Sequence, residues 1–268
     1  MSASHLIECV RIREVFAHRP QEVQGKFRGP RVQTWNTIRR WAIAAAVLLA
    51  CLATTAAFAT QASSRWTVES VLKQLDAQAG SFHSLMADLE RTKVTVVVND
   101  KSTESGQIFV RRDEKMRIEM TKPDPKTILR SGNEFYIYTP KISRVEEYDL
   151  GKKQSLVDQY LLLGFGTSGS SLKKSYLVTF QGEELVDSRK VLLLELTPIS
   201  EEVRNQISKI HMWIDESNWL PVQQKFFETG SGDYFVIHYT NMVRNARLSD
   251  KEFKPHWPKG VTKIKPRG

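Results

Sequence analysis

The chain has 268 residues, 41% hydrophobic and 26% charged, with a formal net charge of +9 and two cysteines. The basic residues are scattered and not gathered into a stripe, which argues against a nucleic-acid groove. The excess is also uneven: a net of +5 in residues 1–40 leaves +4 for residues 60–268, a mild balance suited to an anionic membrane surface or an acidic partner.

Arg39 and Arg40 lead into an uncharged stretch from Trp41, rich in Ala, Val and Leu, that ends in Ala57-Phe58-Ala59. A basic flank, an apolar run of about 10–15 residues and a small-x-small site describe a secretory signal peptide. The run falls short of the roughly 20 apolar residues that a membrane span needs. The sequence before Arg39 is long for such a leader, and a translation start near Val32 is compatible with it. Leu48-Leu49-Ala50-Cys51 resembles a lipobox, in which Cys51 would carry a lipid, but apolar residues follow it where a polar tether belongs. Cleavage after Ala59 is the preferred reading; it removes Cys9 and Cys51 and leaves no disulfide, Cys-ligated metal or thiol chemistry. Residues 1–59 are thus leader and signal peptide, and residues 60–268 are long enough for one core and one domain.

Thr67 is placed to cap a helix whose apolar face is Val68, Val71, Leu72, Leu75 and Ala79, stopped at Gly80. Short period-2 segments follow, separated by turn residues. "KVTVVV" turns at Asn99-Asp100 into "SGQIFVRR"; "KMRIEM" sets Met116, Ile118 and Met120 on one face against Arg117 and Glu119; "KTILR" turns at Ser131-Gly132-Asn133 into "EFYIYT"; "SRVEEYDL" comes next. Later come "SYLVTFQ", "KVLLLELTP", "KIHMWID", "LPVQQKFFE" and "DYFVIHYTNM". About eleven strands at regular spacing point to an antiparallel sheet or barrel.

Between these two runs, "SLVDQYLLL" has helical spacing and leads into "GFGTSG", Gly164 to Gly169. The glycines spell a dinucleotide-binding turn, but that motif needs a strand before it and a helix after it. Here the order reads helix, loop, short basic turn, strand, so the phosphate-cradle reading is set aside. The loop is instead the end of an apolar helix.

A sheet with one wet face alternates cleanly between apolar and polar residues. "EFYIY", "VLLLEL" and "YFVIHY" are apolar or aromatic on both faces, and two helices cannot cover both faces of eleven strands. Two architectures remain: a curled sheet with a partly filled inner pocket for an apolar ligand, or a closed barrel or two-sheet sandwich with a dry core.

Several stretches resemble the periplasmic lipoprotein carrier family (LolA-type). "GSFHSLMADLERTKV" is similar to the family's entry into its first strand. "GQIFVRRDEKMRIEMTKPDPKTILRSGNEFYIYTPKISRVEEYDL" is similar to its central run, and "SDKEFKPHWPKGVTKI" to its C-terminal ending. The matches keep their order across nearly the whole mature chain and are weaker over residues 150–200. The resemblance implies a mainly β fold: an incomplete antiparallel barrel with helices forming a lid over an apolar cavity. It implies a carrier in the periplasm of a Gram-negative-type bacterium that takes acylated lipoproteins from an inner-membrane lipoprotein-releasing transporter to an outer-membrane acceptor. A lipid-anchored outer-membrane acceptor using Cys51, and a lipid-sensing regulator, are the alternatives. By position, Met116, Ile118, Met120, Phe135 and Ile137 would line the lipid site. Arg112 falls at the family's functional arginine, and Leu161, Leu162, Leu163, Gly164 and Gly166 fall on the lid helix and its hinge. The family's Pro after that arginine is Asp113 here.

No catalytic constellation stands out. His83, His211, His238 and His256 lack metal-ligand spacing, and Asp113-Glu114 and Glu146-Glu147 read as solvated strand ends. Trp213, Trp219, Phe226, Phe227, Tyr234 and Phe235 fit a pocket wall or plain core equally well. The expectation is a monomeric binding protein with no cofactor, metal or nucleic acid and no turnover.

Overall fold

The computed structural model describes residues 65–151 and 163–266. The leader and both its proposed processing sites lie outside the described residues, as do Leu161 and Leu162.

Helix α1 spans Val68–Ala79, and its start is the one expected. Thr67 Oγ1 accepts the Ser70 N–H at 3.2 Å, while Ser70 Oγ accepts the Thr67 N–H at 2.8 Å, so two unpaired amides of the first turn are satisfied together. The cap contributes about 1 kcal/mol. Burial of Val71, Leu72 and Leu75 contributes several times more, at about 1.5–3 kcal/mol per side chain. Packing against the sheet, not local propensity, holds this helix.

Twelve strands follow: β1 (Ser84–Thr95), β2 (Asp100–Arg111), β3 (Lys115–Lys122), β4 (Lys126–Ser131), β5 (Glu134–Thr139), β6 (Arg144–Asp149), β7 (Tyr176–Val186), β8 (Arg189–Pro198), β9 (Ile207–Asp215), β10 (Pro221–Glu228), β11 (Tyr234–Arg244) and β12 (Thr262–Ile264). Short helices α2 (Gly169–Ser175) and α3 (Glu201–Arg204) lie between them. They form one sheet in the order β12-β6-β5-β4-β3-β2-β1-β11-β10-β9-β8-β7. All neighbours are antiparallel except β12, which runs parallel to β6. The two end strands do not meet, so this is the mainly β, unclosed barrel expected, with one strand more than the eleven read from the sequence.

Two local expectations are corrected. Only the first half of "KVTVVV" is strand: Lys93, Val94 and Thr95 close β1, which begins at Ser84, and residues 96–99 form the turn, because Thr95 pairs with Asp100. The run after Gly169 is not a basic turn but α2, capped by Ser168, whose Oγ accepts the Ser171 N–H at 3.1 Å.

Strand periodicity sorts the side chains. On the inner face Leu85, Leu89, Ile108, Val110, Met116, Ile128, Phe135 and Ile137 form one apolar cluster. In the other half α1 packs its buried residues onto Leu192, Leu194, Ile210, Met212 and Phe226. Phe226 and Phe235 stack there at 4.6 Å, which makes them core. On the outer face Phe227 and Tyr234 instead flank Lys225, whose Nζ lies 4.6 Å and 3.7 Å from their ring centres.

The two-faced apolar strands have a cover that the sequence reading lacked. In β5, Phe135 and Ile137 point inward, while Tyr136 and Tyr138 meet Trp257 on the outer face at 6.0 and 5.2 Å. Trp257 belongs to the C-terminal segment, which also buries Phe253 and ends in β12. Arg111 fastens that segment. Its guanidinium bonds Asp113 and Asp250, donates to the Leu248 carbonyl at 3.1 Å and covers the Phe253 ring at 5.2 Å. Lys115 Nζ bonds the same two carboxylates at 3.1 and 3.0 Å. The Arg111 hydrogen bond holds the Asp113 carboxyl well below its usual range and lowers that of Asp250.

Depressed carboxylate pKa values stabilise the fold above the unfolded pKa, near 4, and that contribution fades as pH falls through the folded values. Arg111→Ala is expected to cost about 1–2 kcal/mol at pH 7. The gap in melting temperature from the parent should shrink steadily below about pH 4. A gap that is constant from pH 7 to pH 2 would show that Arg111 acts through packing on Phe253 alone.

Candidate functional site

Cross-strand register assembles the site. Ile118 faces Ile108 on β2 and Ile128 on β4, and Ile128 faces Ile137 on β5. Met116 faces Val110 and Arg130, and Arg130 faces Phe135. The five residues read from the sequence as lipid-lining thus lie on the inner face of two strands, β3 and β5, with β4 between them. Met116 and Phe135 are fully buried and Met120 and Ile137 nearly so, whereas Ile118 is only partly buried.

Two buried cations interrupt this face, and the sequence reading named neither. Arg130 is fully buried; its Nε donates to the Gly132 carbonyl at 3.2 Å, and Glu114 lies 4.0 Å from Nη2. Arg91 pairs with Glu104 at 3.2 Å and lies 4.7 Å over the Phe235 ring, so burial pulls its pKa down while Glu104 supports the charge. A signal was available: Arg91 falls in phase with Leu85, Ala87 and Leu89, on the apolar side of its strand.

At the other end of β1 and β2 the apolar face opens into a pocket of about 460 Å³, within the range of small-ligand sites. Phe82, Val110, Leu163, Phe165 and Leu172 give it apolar walls; Arg111, Arg112 and the hydroxyls of Thr167, Ser168, Ser171 and Ser175 give it a polar rim. Phe82, Val110 and Phe165 belong equally to the inner-face cluster, so pocket and cluster share a wall. Arg112 is exposed, and its Nη1 donates to the Gly80 carbonyl at 3.2 Å, tying the end of α1 to the end of β2.

Leu163, Gly164 and Phe165 are buried, and Phe165 meets Tyr239 edge-on at 5.1 Å. Gly164 and Gly166 have φ of +83° and +70°, conformations that side chains rarely adopt. A Cβ on Gly166 would sit 2.4 Å from Phe82 Cδ1, and one on Gly169 would sit 2.2 Å from the Leu72 carbonyl oxygen. Close packing and left-handed backbone therefore require these glycines, and no phosphate need enter the account. Gly166→Ala combines strain of about 1–3 kcal/mol with overpacking of similar size, so the melting temperature should fall sharply. Unchanged melting would show that the loop yields freely around Phe82.

The remaining candidates do not converge on this site. His211 Nε2 lies 2.8 Å from Glu195, and His238 Nε2 lies 2.8 Å from Asp187. Among the described residues no group of three or more His, Cys, Asp or Glu is arranged to hold a metal ion. Asp113 and Glu146 are paired with Arg111 and Arg144. No helix among the described residues is long and apolar enough to cross a membrane.

Residues 112–244 match a family model described only as an uncharacterized protein. No curated protein matches the sequence. An uncharacterized conserved protein from Thermus thermophilus is similar in structure, with 9% identity and a TM-score of 0.50 over 74% of this chain and 98% of that one. A LolA superfamily protein from Nitrosomonas europaea matches at 18% identity and TM-score 0.38, over 71% of this chain and 98% of that one. The Mycobacterium tuberculosis lipoprotein LppX matches at 12% identity and TM-score 0.43, over 68% and 98%. At such identities the likeness concerns the fold and not the chemistry. What this chain shares with the Thermus thermophilus protein is a mainly β fold, here a single unclosed sheet, antiparallel except at β12, with an apolar inner face.

Proposed function

We propose that this protein is an extracytoplasmic carrier that holds acyl chains of lipoproteins against the inner face of its sheet. The observation that carries the reading is the shared wall. Val110, Phe82 and Phe165 belong both to the open pocket and to the cluster that contains Met116, Ile118, Met120, Phe135 and Ile137. A chain entering at the pocket would find continuous apolar surface, and each methylene buried contributes about 0.8 kcal/mol. The two methionines are unbranched and polarisable, so they can repack around chains of different shape. The resemblance of the sequence to LolA-type carriers and a signal-peptide-like leader support a role outside the cytoplasm. Delivery from an inner-membrane transporter to an outer-membrane acceptor is the finer form of this proposal, with Arg112 and the 161–166 segment as the elements that govern release.

Ile118→Glu is the deciding experiment. Ile118 is the partly buried member of the face, so water can reach a carboxylate there when no ligand is bound, and the variant should fold. Binding of an apolar fluorescent probe should fail, because an acyl chain would have to desolvate the charge at a cost of several kcal/mol. The proposal is lost if the variant unfolds, or if it folds and binds the probe as the parent does.

Arg112→Leu separates transfer from stability. Arg112 is exposed and makes one hydrogen bond through its side chain to Gly80, so the change should move stability by less than about 0.5 kcal/mol. Movement of an acylated lipoprotein between inner- and outer-membrane vesicles should slow. A collapse in melting temperature would make the arginine structural and end its transfer role.

A further inference from the structure

The turn of the β1–β2 hairpin presents three consecutive valines to solvent: Val96, Val97 and Val98 are 50%, 83% and 68% exposed. Turns favour Gly, Asn, Asp, Ser and Pro, and a stiff β-branched triplet in one has no local reason. Single exposed apolar residues are ordinary; a contiguous exposed patch marks a contact. The patch is also held in place. Every residue from Ser84 to Thr95 pairs with one from Asp100 to Arg111, Asn99 N–H donates to the Val96 carbonyl at 3.2 Å, and the buried Asp233 carboxylate accepts the Val96 N–H at 2.9 Å. Pairing of β2 with β3 stops at Ser105, so the hairpin projects past β3 with the valines at its end, while β11 accompanies β1 as far as Val94 on the other side.

Lys93 and Lys101 flank the valines on the two strands, and Lys225 lies on the outer face close by, over the Tyr234 ring. We infer that this tip is a membrane-docking element: the valines enter the interface of a bilayer while the lysines meet anionic phospholipid headgroups. The chemistry favours a lipid surface over a protein partner. A convex tip of three side chains is far smaller than a specific protein interface, whereas insertion among headgroups needs apolar area and cations but no matching shape. The tip stands at the opposite end of β1 and β2 from the Arg111–Arg112 rim, roughly 40 Å away along twelve extended residues. Docking is therefore separate from the pocket and does not depend on acyl binding.

Protein purified from an exporting host should co-float with vesicles of equal parts phosphatidylcholine and phosphatidylglycerol, less with phosphatidylcholine alone, and less as salt is raised. Replacing the triplet (Val96→Ser, Val97→Ser, Val98→Ser) should lower binding about tenfold or more, with melting and apolar-probe binding unchanged, since these side chains contact little of the fold. Lys93→Gln with Lys101→Gln should lower binding to the anionic vesicles about fivefold per lysine and leave the neutral ones unaffected. The inference is overturned if the triple-serine protein floats as the parent does, or if the parent floats with neither vesicle. It is equally overturned if the valines prove instead to drive self-association, seen as a dimer in sedimentation that the serines abolish.

Discussion

An unclosed sheet must cover both faces of its strands, and that constraint governs the rest of this structure. Twelve strands without closure leave two surfaces to be kept from water, and strand periodicity sends alternate residues to each. The inner surface is divided: α1 covers the β7–β10 half, and the residues facing Met116 to Ile137 meet Phe82, Leu150 and Phe165. The outer surface of β3 to β6 is covered by the C-terminal segment, where Trp257 lies against two tyrosines. Arg111 belongs to both systems: it lines the pocket, and it anchors the segment that closes the opposite face.

Much of this was legible because it is local. Alternation in "KMRIEM" and "EFYIYT" fixed which residues share a face, and a cap followed by a Val-Leu-Leu stripe fixed α1. What was not legible is long-range. The two-faced character of "EFYIYT" showed that a second cover existed, but Trp257 lies well over a hundred residues away, and nothing local links the two. The last three valines of "KVTVVV" misled because β propensity measures fit to a half-buried pleated surface. Register with β2 left these residues past the last rung, at the turn. Arg91 and Arg130 sit in phase with apolar neighbours, yet sequence pattern assigns charge to solvent by default.

The glycine loop shows how one spelling can arise from unrelated physics. In a phosphate cradle, glycines let a backbone approach a pyrophosphate. Here they let one backbone approach another and a phenyl ring: Gly169 lies against the Leu72 carbonyl, and Gly166 lies against Phe82. The Gln224 amide donates to the Leu163 carbonyl at 2.8 Å, and Tyr239 in turn donates to Gln224 at 2.9 Å, so the loop is tied to two strands by a buried polar relay. Such a relay fixes a conformation as much as it stabilises one, since a buried amide left without partners would cost more than the bond contributes.

The buried arginines bear on what the inner face can hold. A purely apolar trough would bind any hydrocarbon and would itself be prone to collapse. Arg91 with Glu104 ends the apolar surface toward the hairpin, and Arg130 places a cation beside Met116 and Phe135. Removing either charge from its partners in a low-dielectric setting costs several kcal/mol, so these side chains stay where the strands put them. They limit how deep an apolar chain can lie. A ligand head carrying carbonyl or anionic oxygens is better matched to the Arg111–Arg112 rim and its hydroxyls than to the interior, where Arg91 is already committed to Glu104 and Phe235. For the carrier proposed above, this distribution of charge would give the face a direction: apolar tail inward, polar head at the rim.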